Sequence, residues 1–270
     1  MSEVLNGTLN LDSDRQGLHQ ISINVETTQR LLFKSTVGQV QSLILTLVGE
    51  GNLEVEFEIS ERSSVSVLWW NQGIVTMTET YHVEENAQFT LAYGDLNNEV
   101  LHRTSEVLLE GSGAQADVRS ATIVSTLKEV SLQLRHIHSD TTGHMENYAV
   151  MLDQGNLKLD AIGRIEKQAP RSKTHQVSRV LNLAEHQKAT VFPKLFIDNN
   201  DVEASHAQSI GQIDEDQLYY LQARGLDRNE ATQLIVYGYL YPIAAVIEEE
   251  SVREYFINQI HEKVIDTCLM

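Results

Sequence analysis

The sequence predicts a mainly β core over residues 1–212 followed by a small C-terminal α-helical domain over residues 213–270. From about Leu9 to Ile197 apolar residues tend to alternate with polar ones, the period of a strand with one covered face. After Gly211 they recur every three or four positions, the period of a helix. Turn signals at roughly even spacing cut the first region into short runs, with no helical stretch between them to build βαβ units. Such spacing suits a sandwich, a barrel or a solenoid, and no strict short repeat is visible to choose among them.

The clearest strand is Leu53 to Ile59, where Leu53, Val55, Phe57 and Ile59 face a core and Glu54, Glu56 and Glu58 face water. The same alternation returns at Val65 and Val67, at Leu132 and Leu134, and at Leu157, Leu159 and Ala161. Gly49-Glu50-Gly51-Asn52, Asp95-Leu96-Asn97-Asn98, Gly111-Ser112-Gly113 and Asp153-Gln154-Gly155-Asn156 read as turns between strands.

In the helical part, Asp214 with Gln217 and Asp227 with Glu230 spell capping boxes, and Gly225 stops the first helix. Leu218, Leu221 and one or both of Tyr219 and Tyr220 supply its apolar face. The second helix carries Leu234, Ile235, Tyr237 and Tyr239 and breaks near Pro242. Ser251 with Glu254 opens a third, with Val252, Tyr255, Phe256, Ile260 and Val264 on one face. About 55 residues in three amphipathic helices do not readily bury a core of their own, so they are expected to dock on the β region or on a partner.

Composition narrows the function. A net charge of −18 makes the phosphate term repulsive, so nucleic acid and anionic membranes are not expected partners. The opening MSEVLNGTLN has no basic or apolar signal region, and the longest apolar run, Leu234 to Ile247, is short for a bilayer and contains Pro242. A cytoplasmic location is the expectation. The single cysteine, Cys268, leaves no internal disulfide and no Cys-rich zinc or iron–sulfur motif, so no cluster is expected to be held stably by the isolated chain. There is no GxGxxG after a strand, no GxxxxGK[ST], no HExxH and no GxSxG.

The junction DVEASHAQSIGQIDEDQLYYLQARG is the most recognisable stretch. Its Asp201, Val202, Ser205, His206, Gly211, Asp214, Tyr220, Leu221, Arg224 and Gly225 resemble the junction of the SufB/SufD family, scaffolds of the SUF iron–sulfur cluster assembly system. Ala204 stands where many members carry cysteine. The resemblance runs from about Gly111 through Val264, and Thr174 to Leu183 looks like the family's "HQ…LLL" strand. It implies a right-handed parallel β-helix core and a compact SufD-like form without the family's N-terminal helical domain. It also implies a non-catalytic scaffold that pairs with a SufB/SufD-family protomer and docks a SufC-like ABC ATPase on its C-terminal helices. A transient iron–sulfur cluster would then form only in the complex.

His206 is the candidate residue for metal or cluster assembly, since neutral imidazole binds iron. Alternation puts Glu203 and Ser205 on one face and Ala204 and His206 on the other, so a Glu203–His206 pair needs a bend. The competing reading of His206 is a hydrogen-bonding junction residue. His136 and His138 share a strand face and form a sequence cluster with His144, while His175 and His186 read as surface or junction residues. For the ATPase, Arg224, Tyr237, Tyr239 and Ile243 are the expected contacts. The adjacent Trp69 and Trp70 fit one core and one partly exposed interface residue better than a sugar platform. The alternative function is a carbohydrate-active or other small-molecule enzyme on a β-helix, with Asp117, Asp140 and Glu146 as acid and base.

Overall fold

The computed structural model describes residues 7–10, 17–247 and 250–268. The opening residues 1–6, read above for a leader, and the side chains of Val252 and Cys268 lie outside the described residues. The chain winds as a parallel β-solenoid with two flat faces. Sheet A stacks β2 (Gly17–Val25), the first half of β4 (Val40–Ile59), β5 (Ser64–Asn71), β7 (Gln88–Asp95), β9 (Gln115–Val124), β11 (Thr142–Met151), β13 (Lys173–Asn182) and β15 (Glu203–Gln212). Sheet B stacks β1 (Gly7–Asn10), β3 (Thr28–Lys34), the second half of β4, β6 (Ile74–Val83), β8 (Leu101–Leu109), β10 (Leu127–His136), β12 (Asn156–Ile165) and β14 (Lys188–Ile197). Successive strands thus alternate between sheets, and every described pairing is parallel.

Gly49 to Asn52, read above as a turn, lies inside the continuous strand β4. Here the chain passes from sheet A to sheet B without leaving the extended state. Only glycine suits the bend: Gly49 has φ +89°, and a Cβ on Gly51 would lie 2.6 Å from the Thr27 carbonyl oxygen.

The return from sheet B to sheet A repeats a turn. Gly38, Arg62, Asn86, Gly113, Asp140 and Arg171 all adopt left-handed φ between 54° and 71°. Each donates its N–H to a carbonyl in the next turn along the stack, Arg62 to Glu85 and Asn86 to Ser112 at 3.0 Å, Gly113 to Ser139 at 3.3 Å. The repeat therefore exists, at intervals that lengthen from 24 to 31 residues, and the sequence hides it because any of Gly, Arg, Asn or Asp fills the key position.

Inside, Leu53, Val55, Phe57, Ile59, Val65, Val67, Leu132, Leu134, Leu157, Leu159 and Ala161 are all buried, as the alternation predicts. Phe33, Phe57 and Tyr81 stack rung on rung, with centroids 4.4 and 5.1 Å apart, because parallel in-register strands place like positions above one another. Trp69 points into this core, and Trp70, on the opposite face of β5, is only 1% exposed. Neither ring offers a sugar platform or a free interface.

The helical part comprises α1 (Glu215–Gln222), α2 (Arg228–Leu240), a 3-10 helix (Tyr241–Val246) and α3 (Glu250–Cys268). Asp214 caps α1 by accepting from the Asp216 amide, and the reciprocal capping box is made by Asp227 and Glu230 at α2. Gly225, at φ +99°, ends the turn after α1. α2 gives way to the 3-10 helix at Tyr241-Pro242. α3 starts at Glu250, so Ser251 sits within its first turn. Val236, Leu240, Ile243, Phe256, Ile260 and Val264 pack on the outer face of sheet A against Ile44, Leu68, Trp70, Ala92, Ile123 and Leu181. The helices therefore complete a second core on the solenoid's flank, as their size requires.

Candidate functional site at the open rung and the helix groove

β14 and β15 form the last rung. β14 pairs with β12 and β15 with β13, and among the described residues their other edges carry no partner strand. All ten residues of β15 are exposed. Phe192 and Phe196 on β14 are 45% and 48% exposed, and Ile197 and Ile210 are open as well. An edge of unpaired N–H and C=O groups flanked by apolar side chains is a template for another strand.

His206 lies on this rung, in register with the buried Gln176 of β13, so it belongs to the inward-pointing set, yet it is exposed because no rung among the described residues covers it. Glu203 and Ser205 belong to the outer set: Glu203 meets Lys173 Nζ at 2.8 Å, and Ser205 Oγ shares a 2.7 Å hydrogen bond with His175 Nδ1. The face assignment read from alternation is the one seen. His144 stacks on His175 outside sheet A, centroids 5.4 Å apart.

The other histidines stay apart. His136 ends β10 and is fully buried, sharing a 2.8 Å hydrogen bond with Thr141 Oγ1, whereas His138 is in the following turn. The expectation that these two share a strand face is corrected, because the strand ends between them. His186 lies 3.4 Å from Asp153 on an exposed bend. Among the described residues no three His, Cys, Asp or Glu side chains are placed to hold a metal ion. Of the carboxylates, Asp117 is held by Arg119, which also reaches Glu146 at 3.5 Å, and Asp140 pairs with Arg171 at the corner before β11.

The second feature is a groove of about 460 Å³ between α1 and α2, lined by Asp216, Gln217, Tyr220, Leu221, Leu234 and Ile235. Tyr220 and Leu234 are exposed, and the Arg224 guanidinium lies over the Tyr220 ring at 4.5 Å. Tyr237 and Tyr239 are half-buried against the flank core, Tyr239 edge-on to Tyr148 at 6.1 Å, and Ile243 is fully buried. α1 turns Leu218 inward and both its tyrosines outward, contrary to the apolar face read from sequence. Eight residues give a helix only two turns, too few for periodicity to fix which flank docks.

Residues 51–239 match the family described as "SUF system FeS cluster assembly, SufBD core domain". The chain belongs to the SufB/SufD family. It is similar to the iron-sulfur cluster assembly protein SufD of Bacillus subtilis, 34% identical over 158 residues, 58% of this chain and 36% of that protein. It is 28% identical over 227 residues to an iron-sulfur cluster assembly SufBD family protein of Mycobacterium leprae, covering 78% of this chain and 58% of that one. A SufBD family protein of Staphylococcus epidermidis is 21% identical over 184 residues, 67% of this chain and 40% of its own length. The chain thus spans less than two thirds of the length of these relatives. The SufBD match extends from the bend of β4 through most of α2, so it takes in both the open rung and the groove.

Proposed function

We propose that this chain is a non-catalytic scaffold subunit of a SUF-type iron–sulfur cluster assembly complex in the cytoplasm. It pairs with a second SufB/SufD-family protomer through β14 and β15 and receives a SufC-like ABC ATPase on α1 and α2. The observation that carries this reading is the open rung: two ten-residue edges, exposed Phe192, Phe196 and Ile210, and an exposed histidine at the same place. A cluster assembled transiently at the joint draws thiolates from the partner, because Ala204 supplies none, and His206 offers this chain's nitrogen.

The helix groove supports the second contact. Its apolar floor carries one charged lining residue, Asp216, which fits a partner surface with a basic residue beside an apolar centre. Arg224 lies over the groove residue Tyr220 and joins this contact. Deleting everything after Gly225 would strip the cover from Trp70, Ile123 and Leu181, so truncation is a poor test. The experiment is co-purification with a SufC-like ATPase of the full chain and of Tyr220→Asp and Leu234→Asp. Capture by the parent and loss in both variants, with unchanged melting, supports the reading. Equal capture by all three places the ATPase elsewhere.

A further inference from the structure

One cluster in the solenoid interior brings together four charged groups that the scaffold reading does not use. Glu79 (β6), Asp95 (β7), Arg103 (β8) and Lys128 (β10) are all fully buried side chains. Arg103 spends its guanidinium on Asp95, on Met77 Sδ at 3.4 Å and on the face of Tyr93 at 4.0 Å. Its Nε stays 3.8 Å from Glu79 Oε1, and neither atom has a hydrogen-bond partner among the described residues. Glu79 Oε2 accepts from the Tyr93 hydroxyl at 2.5 Å, Ser105 also reaches the carboxylate, and Tyr93 meets Ser105 Oγ at 2.8 Å. Tyr81 faces Glu79 from its own strand. Lys128 donates to Asn97 Oδ1 at 2.8 Å and is faced by Asp95, Arg103 and Glu99. Glu79 and Lys128 are thus the two charges of the cluster that make no hydrogen bond to an opposite charge among the described residues.

Both groups border the strand on which α3 sits. On β7, Tyr93 and Asp95 point into the cluster while Gly94, between them, lies under Trp70 and Phe256; a Cβ there would meet Phe256 Cε2 at 3.0 Å. Asn97, which Lys128 holds, follows Leu96, a member of the flank core that includes Phe256. Asn97 also donates to the Gly73 carbonyl at 3.3 Å, fixing the bend between sheets.

We propose that Glu79 and Lys128 form a proton-linked clamp on the seat of α3, loosest when both are ionised and tightened by protonating the first or deprotonating the second. Burial pushes the Glu79 carboxyl up to about 7 and the Lys128 amine down to about 8, which supports this. For Glu79 the folded state holds the proton more tightly than the unfolded state, so its contribution to stability falls as pH rises from about 4.5 to about 7. For Lys128 the unfolded state holds it more tightly, so stability rises from about pH 8 to about 10.5. The minimum lies between, where two buried charges lack full partners.

Hydrogen exchange of the full chain, corrected for intrinsic rates, tests the clamp at about pH 6, 7.5 and 9.5. Amides of residues 96–100 and of α3 should be least protected at about pH 7.5, by roughly tenfold against pH 6. Glu79→Gln should abolish the acid arm of that profile and Lys128→Met the alkaline arm. An acid arm that survives Glu79→Gln overturns the proposal. If either variant does not fold, infrared titration of the unaltered chain decides. A buried carboxylic-acid band present at about pH 6 and gone by about pH 8.5 supports the clamp, and no such band at pH 6 refutes it.

Discussion

A buried imidazole sets how the chain answers acid. His136 has one ring nitrogen bonded to Thr141 and the other, Nε2, without a partner among the described residues, and burial holds it down to about 4. Because the unfolded chain takes up a proton near pH 6.5 and the folded chain does not, stability is lost as pH falls from about 6.5 towards about 4. Between about pH 7 and pH 5 the loss is about 2 kcal/mol. Glu79 acts with the opposite sign over that range, so the quantity to read is the difference from His136→Leu. Unfolding free energies from urea titration at the two pH values should diverge by about that amount, and parallel curves would remove His136 from the account. Inward aliphatic positions such as Leu53 and Val65 were legible from alternation. The interior charges were not, because sequence reasoning places Glu, Lys and Arg on surfaces and has no means of seeing partners that lie on the neighbouring rungs about 15 to 30 residues away.

Among elements, the corners and helices differ in how plainly they are written. The helix caps at Asp214 and Asp227 were legible because capping is local chemistry. The bend of β4 was not, because glycine pairs signal a turn and a bent strand alike. At one corner the backbone stacks so closely that only glycine fits: a Cβ on Gly111 would strike the backbone of Glu84 and Glu85. Gly111→Ala should cost about 2 kcal/mol by urea unfolding, since backbone on both sides must shift. A change under about 0.5 kcal/mol would show that the corner yields freely. On the flank, Gly94→Val should cost a similar ~2 kcal/mol and shift Trp70 emission, because the new methyls meet Trp70 and Phe256. Unchanged emission would mean that α3 is not seated there. By contrast, Tyr220→Asp should move stability by less than about 0.5 kcal/mol, as the ring is exposed in the open groove and its other contact is with the surface guanidinium of Arg224.

For the whole molecule, sheet B presents mixed charges that solvate its outer face, such as Lys34–Glu58, Arg135–Glu166 and Arg164–Glu166. The helices cover much of sheet A, and the rung of β14 and β15 remains open. The solenoid class was legible only through the junction that resembles SufB and SufD, because its turns tolerate several residue types and its repeat length drifts. The place of His206 was legible as a strand position, whereas its exposure depends on the absence of a next rung among the described residues, which alternation cannot express. A scaffold built this way should hold no cluster alone: anaerobically purified chain should carry no stoichiometric iron or acid-labile sulfide, and finding both would contradict it. The most direct test of the central claim is the light-scattering mass of the chain at high concentration, alone and mixed with a SufB-like protomer. Pairing through the open rung predicts a dimer alone or a one-to-one complex in the mixture, reduced to monomer by Phe196→Asp with Ile210→Asp. A strict monomer under both conditions would contradict it.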